Sequence, residues 1–255
     1  MKINDNTILI TGGATGIGFS LAEALVKIGN TVIICGRRQS RLEEAKRKLP
    51  RIHVRTCDIS KEAERKELFN WVKDNFKDCN MLVNNAGIQR MVDLKKGIRD
   101  LADGENEIET NLVAPIYLST YFIPLLMKQK EAAIVNVSSG LAFMPIAAMP
   151  VYCATKAAVH SFTMSLRHQL KDTSVKVFEI VPPMVDTELG KGSVEEEEEE
   201  EEEEWNRGIP PVEVAKATIN SLGKDEYEIV VGEAQGLVTG SRTNPEEEFK
   251  RLNAW

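Results

Sequence analysis

The stretch "NTILITGGATGIG", residues 6–18, decides the fold. The run "NTILIT" (Asn6 to Thr11) is short and apolar, and glycines follow it directly. The next residues, "GIGFSLAEALVKIGN", carry apolar side chains at helical spacing until Gly29 and Asn30 end the pattern. A buried strand, a glycine turn and a helix in this order predict the first unit of an α/β sheet.

The alternation of strand and helix continues along the rest of the chain. Strands are predicted at "TVIIC", "IHVRTCD", "NMLVNNAG", "AAIVNVSS", "SVKVFEIVPP" and, at the edge, "EYEIVVG". Helices are predicted at "SRLEEAKRKL", at "KEAERKELFNWVKDNF", from about Glu105 to Lys128, at "VYCATKAAVHSFTMSLRHQLK" and at "PVEVAKATINSLG". Short apolar strands that alternate with helices are typical of a doubly wound parallel sheet, covered on both faces. We therefore predict an α/β fold in one domain.

Composition limits the class of protein. With 255 residues, 42% of them hydrophobic, the chain is long enough to bury one sizeable core. The stretch "LVAPIYLSTYFIPLLM" contains Pro115, Pro124 and polar residues, so we expect a buried helix and no membrane span. The start, "MKINDNTILI", lacks the anatomy of a signal peptide. Four scattered cysteines without a C-x-x-C pair favour free thiols, and a cytoplasmic protein is expected.

The acidity of the chain is local. Ten consecutive glutamates, Glu195 to Glu204, account for it, because removing their ten charges changes the formal net charge from −7 to +3. There is no basic patch that would suggest a nucleic-acid partner. A run of mutually repelling carboxylates does not converge on a cation as a shaped calcium loop does, so no metal site is expected.

The glycine turn predicts a dinucleotide cofactor. Gly12, Gly16 and Gly18 let the backbone approach a pyrophosphate and let the helix N-terminus point its N–H groups at it. At the end of the second strand, "ICGRRQSR" offers Arg37 and Arg38 and no carboxylate. Because a guanidinium suits the 2′-phosphate of NADP, we predict NADP (NADPH) as the preferred cofactor, with NAD possible. The alternative is that both arginines are solvated residues at the start of a helix.

The motif "YCATK" predicts an acid–base pair. Tyr152 and Lys156 are four residues apart on a helix and so share a face. A nearby cation favours the phenolate, and lowering the pKa of tyrosine from about 10 to about 7 requires about 4 kcal/mol of differential stabilisation. Such a tyrosine is an acid for carbonyl reduction and a base for alcohol oxidation. The pair alone is common on ordinary amphipathic helices, where the lysine is a surface residue.

Six motifs occur in order across essentially the whole chain: "TGGATGIG", "CDIS", "NNAG", "NVSS", "YCATK" and "PPMVDT". Together they resemble the short-chain dehydrogenase/reductase family. The resemblance implies a single NAD(P)-binding Rossmann-fold domain over residues 1–255, with an acidic substrate-loop segment at about 188–210. The stretches "GLAFMPIAAMPVYCATKAAVHSF" and "LRHQLKDTSV" are similar to the DltE-like oxidoreductases. One departure is Pro182-Pro183, where many members have Pro-Gly.

The resemblance assigns a catalytic tetrad. Tyr152 would be the acid and base, Ser139 would orient and polarise the carbonyl, and Lys156 would lower the tyrosine pKa and hold the nicotinamide ribose. Asn111 would hold a water that links Lys156 to solvent.

The resemblance also assigns cofactor contacts. Asp58 would bind the adenine amino group, and Asn84 to Gly87 would line the adenosine side. Thr187 and the backbone of Val185 would hold the carboxamide. The full expected set is Gly12, Thr15, Gly16, Ile17, Gly18, Arg37, Arg38, Asp58, Asn84, Ala86, Gly87, Tyr152, Lys156, Val185 and Thr187.

An apolar segment, Leu141 to Val151, follows Ser139 and is expected to form the wall of the substrate pocket. No arginine or histidine stands out there, and His53, His160 and His168 lie away from the motifs. We therefore expect a mostly apolar ketone, aldehyde or secondary alcohol. The expected substrate contacts are Ser139, Leu141, Phe143, Met149 and Tyr152.

These expectations combine into an NADP(H)-dependent oxidoreductase that interconverts a carbonyl and a secondary alcohol. The resemblance implies a homodimer or homotetramer formed through the long helix and the Tyr-Lys helix. The alternative is a catalytically silent dinucleotide-binding sensor or scaffold, against which the intact tetrad argues.

The glutamate run lies in the segment that the family uses as a substrate loop. One interpretation is a solvated loop without a specific role. The other is that its charge disfavours anionic substrates and weakens NADPH binding at low salt. Shortening the run to two glutamates would then lower the KM for NADPH at low ionic strength only.

Overall fold

A computed structural model describes residues 1–102, 106–189 and 208–254. Its strands are β1 (Thr7–Thr11), β2 (Thr31–Gly36), β3 (His53–Thr56), β4 (Cys79–Asn84), β5 (Ala132–Val137), β6 (Val175–Val181) and β7 (Glu228–Val230). In this part of the chain they form one seven-stranded parallel sheet in the order β3-β2-β1-β4-β5-β6-β7. The predicted doubly wound Rossmann fold is confirmed, including the edge position of the last strand.

The helices are α1 (Gly16–Lys27), α2 (Gln39–Lys48), α3 (Glu62–Asn75), α4 (Ile98–Ala102), α5 (Ala114–Leu126), α6 (Pro150–Gln169), α7 (Pro211–Gly223), α8 (Ala234–Thr243) and α9 (Pro245–Leu252). Short 3-10 turns occur at Leu94–Lys96 and Gly140–Ala142. The long helix expected from Glu105 to Lys128 is not one regular helix, because a π-helical turn, Glu109–Val113, precedes α5.

The core lies on both faces of the sheet, since successive strand residues point to opposite sides. On one face, Ile8 and Ile10 pack in a cluster with residues of α1, α2 and α7. On the other, Leu9 packs in a cluster with residues of α3, α5 and α6, among them Phe122. All residues of β1 and β5 are buried, which explains their continuous apolar sequence.

The strand order reverses at β1, which pairs with β2 on one side and with β4 on the other. At such a switch point the connections leave in opposite directions, and a crevice opens at the carboxyl ends of the strands. The glycine turn after β1 therefore lies at the edge where ligands bind in open α/β sheets.

None of the helices in the described ranges combines the length and apolar character needed to cross a bilayer. The cysteines at 35, 57, 79 and 153 are all free and buried. Most of the expected acidic segment at about 188–210, including the run Glu195 to Glu204, lies outside the described residues.

Candidate active site and its family

A cavity of about 820 Å³ occupies the carboxyl edge of the sheet. The residues that line it come from the glycine turn, the ends of β2 to β6 and the C-terminal helices. Among those expected at the site, the lining includes Gly12, Thr15, Gly16, Ile17, Arg37, Arg38, Asp58, Ala86, Gly87, Ser139, Leu141, Met149, Tyr152, Lys156, Val185 and Thr187. Residues from positions 12 to 187 thus meet at one site.

The glycine turn is tightly packed against the end of β4. Gly12 has a φ of +63°, and a Cβ there would lie 2.8 Å from the Cα of Ala86. A Cβ on Gly18 would lie 2.3 Å from the carbonyl oxygen of Gly12. Side chains at these positions would force the turn and α1 away from the sheet, so the glycines are required by close approach of the backbone.

Asn85 connects this turn to β4. Its side-chain nitrogen donates to the carbonyl oxygens of Thr11 at 2.9 Å and Gly12 at 3.1 Å. The hydroxyl of Thr11 accepts from the backbone N–H groups of Asn85 and Ala86, both at 3.0 Å. Asn85 belongs to the range Asn84 to Gly87 that was expected on the adenosine side, and its observed hydrogen bonds hold the glycine turn against the end of β4.

Asn84, which was expected to contact the cofactor, lies instead in the core. It is buried, and its side-chain nitrogen donates to Ser119 Oγ at 3.1 Å and to Asn136 Oδ1 at 2.8 Å. Asn136 in turn donates to Thr163 Oγ1 at 2.9 Å. Its observed role is to link β4 to α5 and β5, behind the cavity.

The N-terminus of α1 faces the cavity. Thr15 occupies the N-cap position without a side-chain capping bond, and Thr15, Gly16 and Ile17 line the cavity. The first turn of a helix has N–H groups without intrahelical acceptors, and the helix dipole favours an anion there. With the tight glycine turn, this arrangement fits the pyrophosphate of a dinucleotide.

The ends of β2 and β3 supply the side of the cavity where an adenosine would bind. The carboxylate of Asp58 accepts from Ser60 N at 3.0 Å and from Ser60 Oγ at 2.7 Å. Burial alone would raise the pKa of Asp58, but these hydrogen bonds and the Arg37 charge outweigh it, and the pKa is lowered. A carboxylate held ionised in this way suits an amino-group donor such as that of adenine.

Arg41 and Glu188 are two further charged residues at this site, and the sequence analysis did not single them out. Arg41 lines the cavity with Arg37 and Arg38. Glu188 accepts from Arg38 Nη2 at 2.8 Å and lies 2.6 Å from Arg41 Nη2. Arg41 is the last residue of the stretch "ICGRRQSR" from which Arg37 and Arg38 were predicted, so its spacing from them was a usable signal.

Tyr152 and Lys156 are both buried on α6, at 6% and 5% exposure. The Lys156 ammonium donates to the carbonyl oxygen of Val137 at 2.9 Å, and its nitrogen lies 5.6 Å from the centre of the Tyr152 ring. Burial raises the pKa of Tyr152 to about 12, with the Ser139 hydroxyl acting in the opposite direction. Burial also lowers the pKa of Lys156 to about 8. Burial thus shifts the tyrosine pKa in the direction opposite to the expected lowering.

Ser139 and Asn111 flank this pair. Ser139 begins the 3-10 turn after β5, and its Oγ accepts from Leu141 N at 3.1 Å. Asn111 lies in the π-helical turn, a distortion that is frequent at functional sites. Its side chain accepts from Ile88 N at 2.9 Å and donates to Ile88 O at 2.8 Å. It also donates to Thr155 Oγ1 at 3.2 Å, a partner that sequence analysis missed.

The apolar wall differs in part from the expectation. Leu141 and Met149 line the cavity, whereas the Phe143 ring packs 4.5 Å from the His160 ring, outside the lining. The C-terminal helices contribute residues that were not expected, namely Leu237, Arg251 and Leu252. They are 85 to 100 residues further along the chain than Tyr152, and no local motif marks them.

Comparison with known proteins agrees with this architecture. The family model described as short chain dehydrogenase matches residues 6–198. The chain is 48% identical over 253 residues to the uncharacterised oxidoreductase DltE of Bacillus subtilis, covering 99% of this chain and 98% of that protein. It is 30% identical over 234 residues to an uncharacterised oxidoreductase of Staphylococcus saprophyticus, covering 89% and 95%.

Solved structures of similar proteins include complexes with both dinucleotides. A short chain dehydrogenase from Burkholderia cenocepacia in complex with NADP has a TM-score of 0.82 at 26% identity, covering 99% of both chains. A short chain dehydrogenase/reductase from Burkholderia phymatum in complex with NAD has a TM-score of 0.82 at 20% identity, covering 99% and 97%, a likeness of fold alone. The chain therefore belongs to the short-chain dehydrogenase/reductase family, as a DltE-like member, and is an NAD(P)-dependent oxidoreductase.

Proposed function

We propose that this protein is an NADP(H)-dependent oxidoreductase that interconverts a carbonyl compound and a secondary alcohol, with Tyr152 as general acid and base. The observation that carries the proposal is that Ser139, Tyr152 and Lys156 line the same cavity as the glycine turn and the arginines that follow β2, namely Arg37, Arg38 and Arg41. One cavity thus holds both an acid–base group and a place for a phosphorylated dinucleotide.

The bound cofactor would supply the hydride that adds to the carbonyl carbon, or accept it in the reverse direction. Tyr152 holds the proton that the substrate oxygen needs. Because its pKa is raised to about 12, the phenol is protonated at neutral pH and can donate to the oxygen as the alcohol forms. In the oxidative direction the phenolate takes the hydroxyl proton back, so one proton moves with each hydride.

Ser139 is placed to orient the substrate oxygen. Its Oγ already accepts the N–H of Leu141, which leaves the hydroxyl hydrogen as a donor. A donor aimed at the carbonyl oxygen polarises the bond and stabilises the negative charge that develops on it.

Lys156 and Asn111 support the reacting groups. One ammonium hydrogen of Lys156 goes to Val137, so two remain for the ribose of the cofactor or for proton transfer. Both amide hydrogens of Asn111 go to Ile88 and Thr155. The side chain of Asn111 therefore holds Ile88 and Thr155 together beside Lys156. A relay water would have to bind to an oxygen atom of Asn111.

The preference for NADP(H) rests on Arg37, Arg38 and Arg41, which line the cavity near Asp58. We expect the dissociation constant of NADPH to be at least about tenfold lower than that of NADH, because the 2′-phosphate adds charge-assisted hydrogen bonds to these arginines. Equal affinities would remove the NADP(H) preference and leave an NAD(P)-dependent enzyme.

The acid–base role is tested by oxidation of NADPH with a panel of apolar ketones and aldehydes. Tyr152→Phe should reduce turnover by about 10²- to 10⁴-fold and leave NADPH affinity unchanged. If wild type and Tyr152→Phe are equally inactive over the panel while both bind NADPH tightly, the silent sensor or scaffold becomes the better description.

We further propose a homodimer or homotetramer in the cytoplasm. Tyr117 on α5 and Met164 on α6 are 44% and 54% exposed, which leaves apolar surface on both helices for a second copy. Four free buried thiols are typical of a reducing compartment. Light scattering coupled to gel filtration tests the assembly, since a monomer would exclude it.

A further inference from the structure

Glu188 joins the segment after Thr187 to the arginines that follow β2. Its two carboxylate oxygens are divided between them, with Oε2 at 2.8 Å from Arg38 Nη2 and Oε1 at 2.6 Å from Arg41 Nη2. Arg38 is the N-cap residue of α2 and Arg41 lies in its first turn. A carboxylate between two guanidinium groups has the charge and geometry of an anion bound in a two-arginine subsite.

The ion pairs of Glu188 are accessible to a competitor. The side chains of Arg38, Arg41 and Glu188 are 57%, 41% and 39% exposed. Exposed ion pairs contribute little to stability, because water screens them and because ordering long side chains costs entropy. A phosphate with up to two charges and three oxygens binds paired guanidinium groups better than one carboxylate does.

Arg41 has a second partner that keeps it in place. Glu44, one helical turn away, lies 3.1 Å from Arg41 Nη1 and is itself held by Lys48 at 2.8 Å. Removing Glu188 would therefore release the Nη2 side of Arg41 while Glu44 still orients its guanidinium group. The arginine is positioned before any ligand binds.

We propose that Glu188 competes with the 2′-phosphate of NADP(H) for the guanidinium groups of Arg38 and Arg41. The inference rests on the NADP(H) dependence proposed above. Binding of NADP(H) then requires Glu188 to leave, whereas NAD(H), which has a hydroxyl at this position, does not compete for the same groups.

The exchange couples two parts of the site. Thr187, the neighbour of Glu188, packs against the glycine turn, because a Cβ on Gly16 would lie 2.9 Å from Thr187 Cγ2. The exchange of Glu188 for the 2′-phosphate therefore takes place one residue away from Thr187, which is expected to hold the carboxamide.

The test compares wild type with Glu188→Gln, which removes the charge and keeps the shape. Dissociation constants are measured for NADPH, NADH, 2′,5′-ADP and 5′-AMP at low ionic strength. Glu62→Gln is the matched control, since Glu62 is an exposed glutamate that pairs with a single cation, Lys66. Both variants change the net charge of the protein by the same amount.

Glu188→Gln should lower the dissociation constants of NADPH and 2′,5′-ADP by about three- to tenfold, with those of NADH and 5′-AMP changed by less than about twofold. Glu62→Gln should change none of them. Arg41→Gln should weaken NADPH and 2′,5′-ADP selectively, by about tenfold.

Three results would overturn the inference. They are unchanged or weaker NADPH binding in Glu188→Gln, equal tightening of NADPH and NADH, and an equal effect in Glu62→Gln. If the wild type prefers NADPH to NADH, each of these three results contradicts the inference and leaves the proposed function unaffected. A wild type that binds NADPH no better than NADH, and fails to bind 2′,5′-ADP, would instead remove the NADP(H) preference and this inference together.

Discussion

The ammonium nitrogen of Lys156 lies 5.6 Å from the centre of the Tyr152 ring, and its hydrogen bond goes to the carbonyl oxygen of Val137. The lysine is thus anchored to the end of β5 and not to the phenol. Burial acts on both groups, raising the pKa of the phenol to about 12 and lowering that of the ammonium to about 8. Burial therefore keeps the phenol protonated at neutral pH, and it lets Lys156 lose its proton at a lower pH than an exposed lysine does.

The pH dependence of carbonyl reduction follows from the pKa of Lys156. The ammonium is charged below about pH 8 and loses its proton above it, because burial has lowered its pKa from 10.5. We expect kcat/KM for reduction to fall as the pH rises through about 8. The measurement is a profile from about pH 6 to 10, which reports the free enzyme. Lys156→Arg keeps the positive charge over this range and should abolish the fall of kcat/KM above about pH 8. If the fall persists in Lys156→Arg, another group causes it.

Gly12→Ala should abolish dinucleotide binding. The variant places a Cβ 2.8 Å from the Cα of Ala86 at a φ of +63°. Gly29→Ala is a matched control, because Gly29 has a φ of +92° and no atom within 4 Å of its Cβ position. Backbone strain costs each variant about 1–2 kcal/mol. Close contact should lower the unfolding free energy of Gly12→Ala by a further amount of about 1–3 kcal/mol.

Urea unfolding and NADPH titration measure the two effects of these glycine variants. The close-approach explanation fails if Gly12→Ala binds NADPH like Gly29→Ala and is equally stable.

Thr155→Val should lower turnover and stability together. Thr155 Oγ1 accepts from Asn111 Nδ2 at 3.2 Å and donates to Tyr152 O at 2.7 Å. Loss of the hydroxyl leaves a buried amide hydrogen of Asn111 unpaired, at a cost of about 1–3 kcal/mol. Thr155→Ser keeps the hydroxyl and should restore kcat to within about threefold of wild type. If valine and serine lower kcat equally, the methyl group matters and the hydrogen bonds do not.

The buried pair of His160 and Glu179 should make stability depend on pH. His160 Nδ1 lies 2.9 Å from Glu179 Oε2, and Glu179 is fully buried. The hydrogen bond to Glu179 raises the pKa of His160, as does Glu228, while burial and Arg167 oppose the shift. The charged pair therefore adds stability that is complete below the unfolded pKa of 6.5 and is lost as pH rises through the raised folded value.

His160→Gln measures this contribution, since glutamine donates a hydrogen bond but does not titrate. The unfolding free energy of wild type should exceed that of the variant by about 1–3 kcal/mol at pH 6, and the difference should shrink towards pH 9. Denaturant unfolding at both pH values checks it. A difference that grows with pH would contradict the sign.

Much of the site followed from local sequence. The glycine turn, Asp58, Ser139, Tyr152 and Lys156 all line one cavity, because each follows the end of a strand or lies on a helix whose face its spacing defines. Asn84 and Phe143 lie elsewhere than expected. Side-chain direction within a strand or turn places Asn84 in the core, where it donates to Asn136, and packs the Phe143 ring against His160, outside the cavity lining.

The sequence by itself determined the doubly wound sheet, the position of the glycine turn at its carboxyl edge, and the residue types available for acid–base chemistry. These depend on apolar periodicity and on backbone freedom, which are local properties. Tertiary structure alone decided three things: the upward shift of the Tyr152 pKa, the presence of Leu237 and Leu252 in the cavity lining, and the ion pairs of Glu188 with Arg38 and Arg41. Burial, and contacts such as that of Arg38 with Glu188 across 150 residues of chain, have no local pattern, since they arise only when the sheet brings its loops together.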